Sequence, residues 1–527
     1  MQVSRDQQSP KRPPPKPPIR RLRTLASRIF DSDTATFVKD RVITISRVTG
    51  LITDVSATDG KVNYHADTSV DIIDLRSSNV ALLPGLIDTH VHMFLHPYAE
   101  TSWDDQVTKE STAERVIRAT VHARNTLMAG YTSVRDLGTE GAEEADLALR
   151  KCISSPACLI PGPRLFVATR AIVSTGSYGP KTDLGPNREG VDGKIGAEAA
   201  DGEAECRRVV RRQIGAGVDV IKIYAGTASD VSLEPKAKLL RWIADYGFRS
   251  RNSNVAPNTA ATSWPLFSTP ELRVMIDTAH SLGTKVCAHA IRDDTIQTLV
   301  ELGADSIEHG TFMKEGALRV LQGSQGKTVW NPTLATFSRR GPYSEQWKDT
   351  KRTFQAALEM GGITMACGGD TGTFPHGGNA LEMASMIELG ADWHQVLKWN
   401  TLGGWKCIRG LQWEGDEGKK RVERFEAAAA RQVCEGESEE TAFAEIGEWP
   451  LGDNDVPLGA IKPGYAADLM AFTRDLWLEW QEGRMGLFGD MEEGTAVSDN
   501  PFQYPVHFVM KAGKVYKMDG VEVLSAI

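Results

Sequence analysis

Apolar and polar residues alternate with a period of two near both ends of the chain. Runs at residues 42–45, 50–55 and 70–75 are rich in β-branched residues and are separated by turn residues, which predicts antiparallel strands. Similar runs follow at residues 467–472 and 507–517, the latter with a hairpin turn at Ala512-Gly513. The pattern therefore predicts one small β-sandwich domain that is built from both terminal segments.

Between residues 82 and 412 the pattern changes to apolar strand-like runs, most of which are followed by a helical period. The runs lie at residues 82–92, 132–135, 164–169, 218–224, 285–289, 306–309, 327–332 and 363–370. The predicted helices include residues 113–128, 204–214, 270–282, 294–302, 353–360 and 380–388, with Thr269 as the cap of the third. Eight such units favour an α/β fold with a (β/α)8 TIM-type barrel over an open sheet.

The predicted organisation has five parts. Residues 1–23 form a basic tail, expected to be disordered because proline removes backbone donors and like charges repel. The β domain takes residues 24–81 and 458–527, the barrel takes 82–412, and a helical insertion takes 413–457. Residues 226–268 are predicted to be an active-site lid. The insertion at 413–457 would cover the pocket, contact another subunit or pack outside, and the sequence leaves these three open.

Composition narrows the class of protein. The 527 residues are 41% apolar and 24% charged, with a net charge of −9, which argues against general binding to nucleic acid or anionic membranes. There is no apolar run of ~18 residues and no apolar core of a secretory signal near the N-terminus, so a cytoplasmic location is expected. The seven scattered cysteines predict reduced thiols. The expected partner is a small-molecule substrate, and homo-oligomerisation stays open.

Chemistry in a (β/α)8 barrel takes place where the strands end. The predicted strand ends carry His90 and His92 on the first strand, Lys222 on the fourth, His289 on the fifth, His309 on the sixth and Asp370 on the eighth. A single strand histidine is more often a core residue. Four imidazoles and a carboxylate at one mouth instead predict a transition-metal site, with zinc favoured.

These motifs together resemble a known family. Residues 84–92, 220–224, 288–289, 306–309 and 369–370, in this order, resemble the metal-dependent amidohydrolase superfamily, and residues 458–469 resemble its return to the β domain. Residues 130–136 and 162–164 are similar to the branch of Xaa-Pro dipeptidase-like, imidazolonepropionase-related and ochratoxinase-like amidohydrolases.

The resemblance implies two divalent metal ions and a hydrolase. It assigns His90, His92 and Asp370 to one ion, His289 and His309 to the other, and Lys222 to both as a bridging N-carboxylated lysine. An ammonium only donates hydrogen bonds, whereas a carbamate offers two anionic oxygens. Asp370 would also be the general base. The implied reaction is hydrolysis of an amide or peptide-like C–N bond of a small molecule by a metal-bridging hydroxide.

The same sequence features also bear on other functions. Mononuclear deaminases of the superfamily usually carry a glutamate three residues after the strand-5 histidine, where this chain has Arg292, and they lack the strand-4 lysine, so deamination is disfavoured. A metal-dependent decarboxylase or other lyase, and a cyclic-amide hydrolase, are the alternatives within the superfamily. The third alternative is an inactive metal-bound scaffold that recruits partners through its proline-rich tail.

The residues that could contact the substrate are marked by weaker sequence signals than the metal ligands. Tyr178 follows the third strand where ochratoxinase-like relatives usually show histidine, and its phenol could donate to an oxyanion. Tyr224 and His376 follow the fourth and eighth strands, and each of the three could instead be a packed core residue. Arginines 135 and 170 could bind a substrate carboxylate, although structural ion pairs with Asp136 or Asp183 are favoured.

Overall fold

The computed structural model describes residues 21–58, 70–78, 80–154, 158–175, 177, 196–226, 265–340, 344–434, 439–473 and 506–523. Residues 1–20 of the predicted tail, most of the predicted lid and Tyr178 lie outside these ranges. Within them the strands form three sheets. None of the described helices is both long and apolar enough to span a bilayer.

The largest sheet joins both ends of the chain. It has nine strands, Arg21–Asp31, Thr36–Ser46, Ile52–Ala57, Val70–Asp74, Val80–Pro84, Leu469–Thr473, Val506–Lys511, Lys514–Met518 and Val521–Glu522. Val80–Pro84 pairs antiparallel with Leu469–Thr473, which connects the two halves. The first strand begins at Arg21 and buries Leu22, so the sheet starts before the predicted boundary at residue 24. The sandwich arrangement stays a prediction.

Two parallel sheets occupy the middle of the chain, which confirms the α/β class. One contains Leu86–Val91, Tyr131–Asp136 and Arg164–Val167, and the other contains Ala171–Val173, Ala197–Ala199, Val220–Tyr224, Lys285–Arg292, Ser306–Phe312 and Val329–Asn331. The described helices of this region are Trp103–Lys109, Thr112–Met128, Ala145–Ser154, Gly202–Ala216, Thr269–Ser281, Asp293–Leu302, Glu315–Gly323, Leu334–Arg340, Glu345–Met360, Leu381–Glu388, Trp393–Trp399 and Leu402–Ile408.

The run at residues 363–370 is not a regular strand, although we predicted one. It makes isolated parallel bridges at its two ends, Met365 with Trp330 and Thr371 with Val91. The reason lies in its glycines. A Cβ on Gly368 would lie 2.8 Å from the Cβ of His90, so the close approach of this segment to the strand Leu86–Val91 requires glycine. Glycine in turn weakens a strand. The segment still connects the two parallel sheets.

The predicted strand at residues 82–92 is divided in the structure. Val80–Pro84 belongs to the nine-stranded sheet, and Leu86–Val91 begins the parallel strands. Gly85 lies at the junction, and its backbone N–H donates to the carbonyl of Asp468 at 2.8 Å. A continuous apolar run hides this change of sheet, because both halves are buried and periodicity alone gives no boundary.

We expect Gly85→Ala to destabilise the protein by about 1–3 kcal/mol, because a Cβ there would collide with the side chain of Thr132. The matched control is Gly215→Ala. Gly215 lies within the helix Gly202–Ala216 with open space around it, so alanine should raise stability by about 0.5–1 kcal/mol. Melting temperatures of both variants provide the measurement. Equal melting temperatures for Gly85→Ala and the parent would contradict the close packing at this junction.

The helix Thr269–Ser281 begins one residue earlier than its predicted cap. Ser268 is the cap, and Thr269 is the first helical residue. The Oε2 of Glu271 accepts hydrogen bonds from the backbone N–H and the hydroxyl of Ser268, both at 2.7 Å. These two bonds from the cap residue to Glu271 explain why serine takes the cap position.

The helical insertion packs against the rest of the chain through aromatic residues. Its helices are Gly415–Cys434 and Glu439–Glu445, and the rings of Phe425 and Phe443 lie 5.5 Å apart. Phe425 also contacts Trp413, whose ring lies 5.7 Å from that of Trp405. These aromatic residues form one buried cluster. The cluster fixes the insertion to the rest of the chain, and the three roles left open by the sequence stay predictions.

Candidate metal centre

Four histidines and one aspartate meet at the carboxyl ends of the parallel strands. The ring centroids of His90 and His309 lie 5.1 Å apart, those of His289 and His309 4.5 Å, and those of His90 and His92 5.4 Å. The Oδ1 of Asp370 lies 3.4 Å from the Nε2 of His92 and 3.6 Å from the Nε2 of His90. All five residues are buried.

The tightest part of this group could hold a metal ion. One ligand atom each from His90, His309 and Asp370 lies within 4.8 Å of the others. Imidazole nitrogen together with carboxylate oxygen suits zinc and similar ions. The donor set therefore fits a divalent transition metal.

Backbone geometry at two of these residues is unusual. His309 has φ 73° and Asp370 has φ 59°, in the left-handed region that costs non-glycine residues ~1 kcal/mol or more. Hydrogen bonds hold this geometry, from the backbone N–H of Asp370 to the carbonyl of His90 at 2.9 Å and from that of His92 to Thr371 at 2.7 Å. These hydrogen bonds hold the end of the strand Leu86–Val91 against the end of the segment at 363–370, where the side chains of His90, His92 and Asp370 converge.

The imidazoles are oriented by hydrogen bonds at Nδ1. The Nδ1 of His90 lies 2.9 Å from Glu308, that of His92 lies 2.8 Å from the carbonyl of Gly138, and that of His309 lies 2.8 Å from the hydroxyl of Thr333. Such contacts leave Nε2 for a metal. The Nε2 of His289 is buried and has no hydrogen-bond partner among the described residues. A buried nitrogen of this kind fits a metal ligand.

Lys222 is buried at the end of the strand Val220–Tyr224, with 1% of its surface exposed. Its Nζ lies 5.6 Å from the ring centroid of Tyr224. In the part of the chain that the structure describes, no carboxylate lies within ion-pair distance of this nitrogen. Burial of an ammonium without such a partner is costly.

Burial sets the protonation of most of the ring nitrogens. It lowers the pKa of His90, His289 and His309 well below the usual value, and the positive charge of Lys222 adds to the effect. The neutral form that results is the one that binds metals. Burial also acts on His92, but the hydrogen bond and charge of Asp370 outweigh it and raise the pKa of His92 to about 9.

A buried network behind His90 was missed by the sequence analysis. The carboxylate of Glu308 accepts hydrogen bonds from Arg135 at 2.7 Å, from Ser306 at 2.6 Å and from Asn331 at 3.2 Å. Arg135 therefore forms a structural ion pair, with Glu308 in place of the expected Asp136. Arg170 pairs with Glu144 at 3.0 Å. A glutamate within a buried strand requires partners, and this rule could have identified Glu308.

The model of the amidohydrolase family matches residues 81–410. The chain belongs to the amidohydrolase family. The match includes all the residues of the candidate metal centre and confirms the resemblance seen in the sequence motifs.

Several known proteins are similar to this amidohydrolase. Ochratoxinase of Aspergillus niger is 28% identical over 335 residues, which are 59% of this chain and 61% of that protein; the chain thus spans about three fifths of the curated relative. The crystal structure of a Xaa-Pro dipeptidase has a TM-score of 0.65 at 23% identity and covers 94% of this chain and 100% of its own. The crystal structure of A. niger ochratoxinase has a TM-score of 0.64 at 20% identity, with coverage of 95% and 97%.

The substrate candidates of this amidohydrolase lie in different surroundings. The ring of Tyr224 stacks on His289 at 4.7 Å, and its hydroxyl lies 3.5 Å from Glu140. The Nε2 of His376 donates to the backbone carbonyls of His92 at 3.2 Å and Leu95 at 3.0 Å, and its ring stacks on that of a second buried histidine. These contacts are those of a packed histidine. A substrate role for Tyr224, for His376 or for Tyr178, which lies outside the described residues, stays a prediction.

Proposed function

We propose that this amidohydrolase is a binuclear metal-dependent hydrolase that cleaves an amide or peptide-like C–N bond of a small molecule. The observation that carries the proposal is the buried Nε2 of His289, which has no hydrogen-bond partner among the described residues and lies beside the group formed by His90, His309 and Asp370. Nitrogen ligands without a protein partner, next to a carboxylate, are expected where cations bind.

In the proposed arrangement His90, His92 and Asp370 would hold one ion, and His289 and His309 would hold the other. Lys222, as a carbamate, would supply anionic oxygen ligands to this site. Lys222 is buried and has no carboxylate partner within the ranges that the structure describes, which supports this role. The contact between the rings of His289 and His309 supports it as well. Zinc is the proposed metal, because imidazole and carboxylate ligands suit it.

We also propose that the parallel strands close into a barrel. On one side the segment at 363–370 bonds to both sheets, through the N–H of Trp330 to Thr364 and through that of Thr89 to Cys367, both at 2.9 Å. On the other side the N–H of Asp219 donates to Val167 at 2.9 Å. These bonds connect the two parallel sheets at two places.

Bound divalent ions would supply Lewis acidity that activates water and polarises the scissile carbonyl. Asp370 is the residue proposed to move the proton, because its Oδ1 faces the Nε2 atoms of His90 and His92 and its side chain is 11% exposed. As general base it takes the proton of the attacking water and delivers it to the leaving nitrogen. Its backbone bond to the carbonyl of His90 keeps the carboxylate in this position.

The proposed class of substrate is based on the names of similar proteins. Their names include ochratoxinase, a Xaa-Pro dipeptidase and molinate hydrolase, the last with a TM-score of 0.63 at 18% identity. A small amide or dipeptide-like compound is the class that we propose for this chain.

The test is the metal content per chain of protein purified without chelators, measured with turnover of an amide and dipeptide library. For the parent protein we expect about two zinc equivalents per chain and hydrolysis of a library member. For Lys222→Ala we expect about one zinc equivalent or none, together with loss of turnover. Lys314→Ala, an exposed lysine beyond the strand Ser306–Phe312, is the matched control and should keep both. One equivalent in the parent would contradict the bridge, and a folded parent that binds no zinc would contradict the metalloenzyme.

A further inference from the structure

Glu140 is a buried carboxylate beside the metal centre that the sequence analysis did not single out. Its Oε1 lies 4.0 Å from the Nδ1 of His92, and Asp370 lies 3.4 Å from the Nε2 of the same ring. Glu140 and Asp370 therefore lie on opposite edges of one imidazole. A group bound at Glu140 would be one ring away from the reacting atoms.

Apart from the ring of His92, two aromatic side chains lie beside the Glu140 carboxylate. Its Oε2 accepts a hydrogen bond from the indole N–H of Trp103 at 3.2 Å, and the hydroxyl of Tyr224 lies 3.5 Å from its Oε1. Both aromatic residues are only half-buried, whereas the Glu140 side chain is 4% exposed. A carboxylate between two aromatic rings matches the chemistry that binds a positively charged nitrogen, through ion pairing and cation–π contact.

The described part of the chain offers the Glu140 carboxylate no ion pair with a lysine or arginine. Arg115 is buried nearby, but it donates to the backbone carbonyls of Phe94, Thr139 and Glu140 at 3.1, 2.9 and 2.6 Å. Among the described residues no lysine or arginine lies within ion-pair distance of the Glu140 carboxylate. Arg115 therefore fixes the loop, and its hydrogen bonds go to backbone carbonyls and not to the Glu140 carboxylate.

The backbone at Glu140 is also held in an unfavourable conformation. Its φ is 51°, between two glycines of the same loop, Gly138 and Gly141, that also have positive φ. Glycine would take this conformation at lower cost than glutamate. Strain at a residue whose side chain reaches a functional site suggests that the side chain is used there.

We propose that Glu140, with Trp103 and Tyr224, forms a subsite that binds a positively charged nitrogen of the substrate. The inference rests on the proposed hydrolase function and adds the chemical class of its substrate. The preferred amide carries an amine a few bonds from the scissile carbonyl. Glu140 determines specificity in this arrangement, and Asp370 performs the proton transfer.

The test compares binding of phenethylamine and its neutral isostere phenethyl alcohol to the full-length protein by calorimetry. We expect the parent to bind the amine about 10- to 100-fold more tightly, the range of a charged hydrogen bond. Glu140→Gln should abolish the preference. Glu143→Gln is the matched control, because Glu143 is exposed in the same loop with φ 55°, and it should keep the preference.

A second variant covers a failure of Glu140→Gln to fold. Trp103→Phe removes the N–H donated to Oε2 but keeps an aromatic ring, so it should weaken amine binding and leave alcohol binding unchanged. A parent that does not prefer the amine, or a Glu140→Gln variant that still does, would overturn the subsite. In turnover, free-amine dipeptides should lose kcat/KM in Glu140→Gln while their N-acetyl forms do not.

Failure of the hydrolase proposal has a different outcome. A parent loaded with metal that cleaves neither the free-amine nor the N-acetyl dipeptide would contradict hydrolysis. The amine preference in calorimetry does not depend on turnover, so it would still decide the role of Glu140.

Discussion

Replacing Asp370 with asparagine is expected to lower kcat by about 10²–10⁴-fold, the usual contribution of a general base. Asparagine keeps the size of the side chain and one carbonyl oxygen as a metal ligand, but an amide cannot accept the proton of the attacking water. The Oδ1 of Asp370 lies 3.4 Å from His92 and 3.6 Å from His90, so the substitution acts at the centre of the site. Measurement of kcat together with zinc per chain separates the loss of a base from the loss of a ligand.

The matched control is Asp294→Asn. Asp294 is an exposed aspartate that pairs with Arg292 at 2.5 Å, just beyond the strand that carries His289. Its replacement should leave kcat and zinc content unchanged. If Asp370→Asn lost zinc but recovered full kcat when zinc was added, Asp370 would be a ligand only, and the proposed proton transfer would be wrong.

Glu308→Gln is expected to weaken zinc binding by about 10–100-fold, although Glu308 is not itself a proposed ligand. Glu308 lies 2.9 Å from the Nδ1 of His90 and orients the ring so that Nε2 faces the centre. The same change leaves the buried guanidinium of Arg135 without its carboxylate. We therefore also expect a loss of stability of about 3–5 kcal/mol, as when one partner of a buried ion pair is removed.

Zinc titration by calorimetry and urea unfolding provide the two measurements. The control is Glu315→Gln, because Glu315 pairs with Arg319 on an exposed helix surface, and such pairs contribute ~1 kcal/mol or less. Both quantities should stay at the parental value in the control. Glu308→Gln that lowers stability but leaves zinc affinity unchanged would show that Glu308 supports the fold without orienting His90.

Several features could be predicted from the sequence because they depend on local order. Strand and helix periods gave the α/β class, and the motifs around His90, His289 and His309 gave the family. Helix positions were predicted well where the period was long, as for Thr112–Met128 and Gly202–Ala216. The predicted ends of helices were less accurate. The start of the helix Thr269–Ser281, for example, depends on the side-chain contact of its cap residue Ser268.

Other features depend on pairs of residues that lie far apart in the sequence. Glu308 and Arg135 are separated by 173 positions, and no periodicity connects them. The change of sheet at Gly85 follows from its pairing near Asp468, and the packing of the helical insertion follows from contacts near Trp405. A charged residue within a buried strand predicts that a partner exists, but the sequence does not show which residue the partner is.

The sequence by itself determined which residue types stand at the strand ends and the family to which they belong, because motif spacing is local and is set by the strand and helix periods. Only the tertiary structure decided what surrounds them. Glu308 faces His90, Glu140 lies between Trp103 and Tyr224, and Arg135 is used for structure. These contacts arise when distant strands and loops pack together, and burial then makes each unpaired charge costly enough to fix its partner.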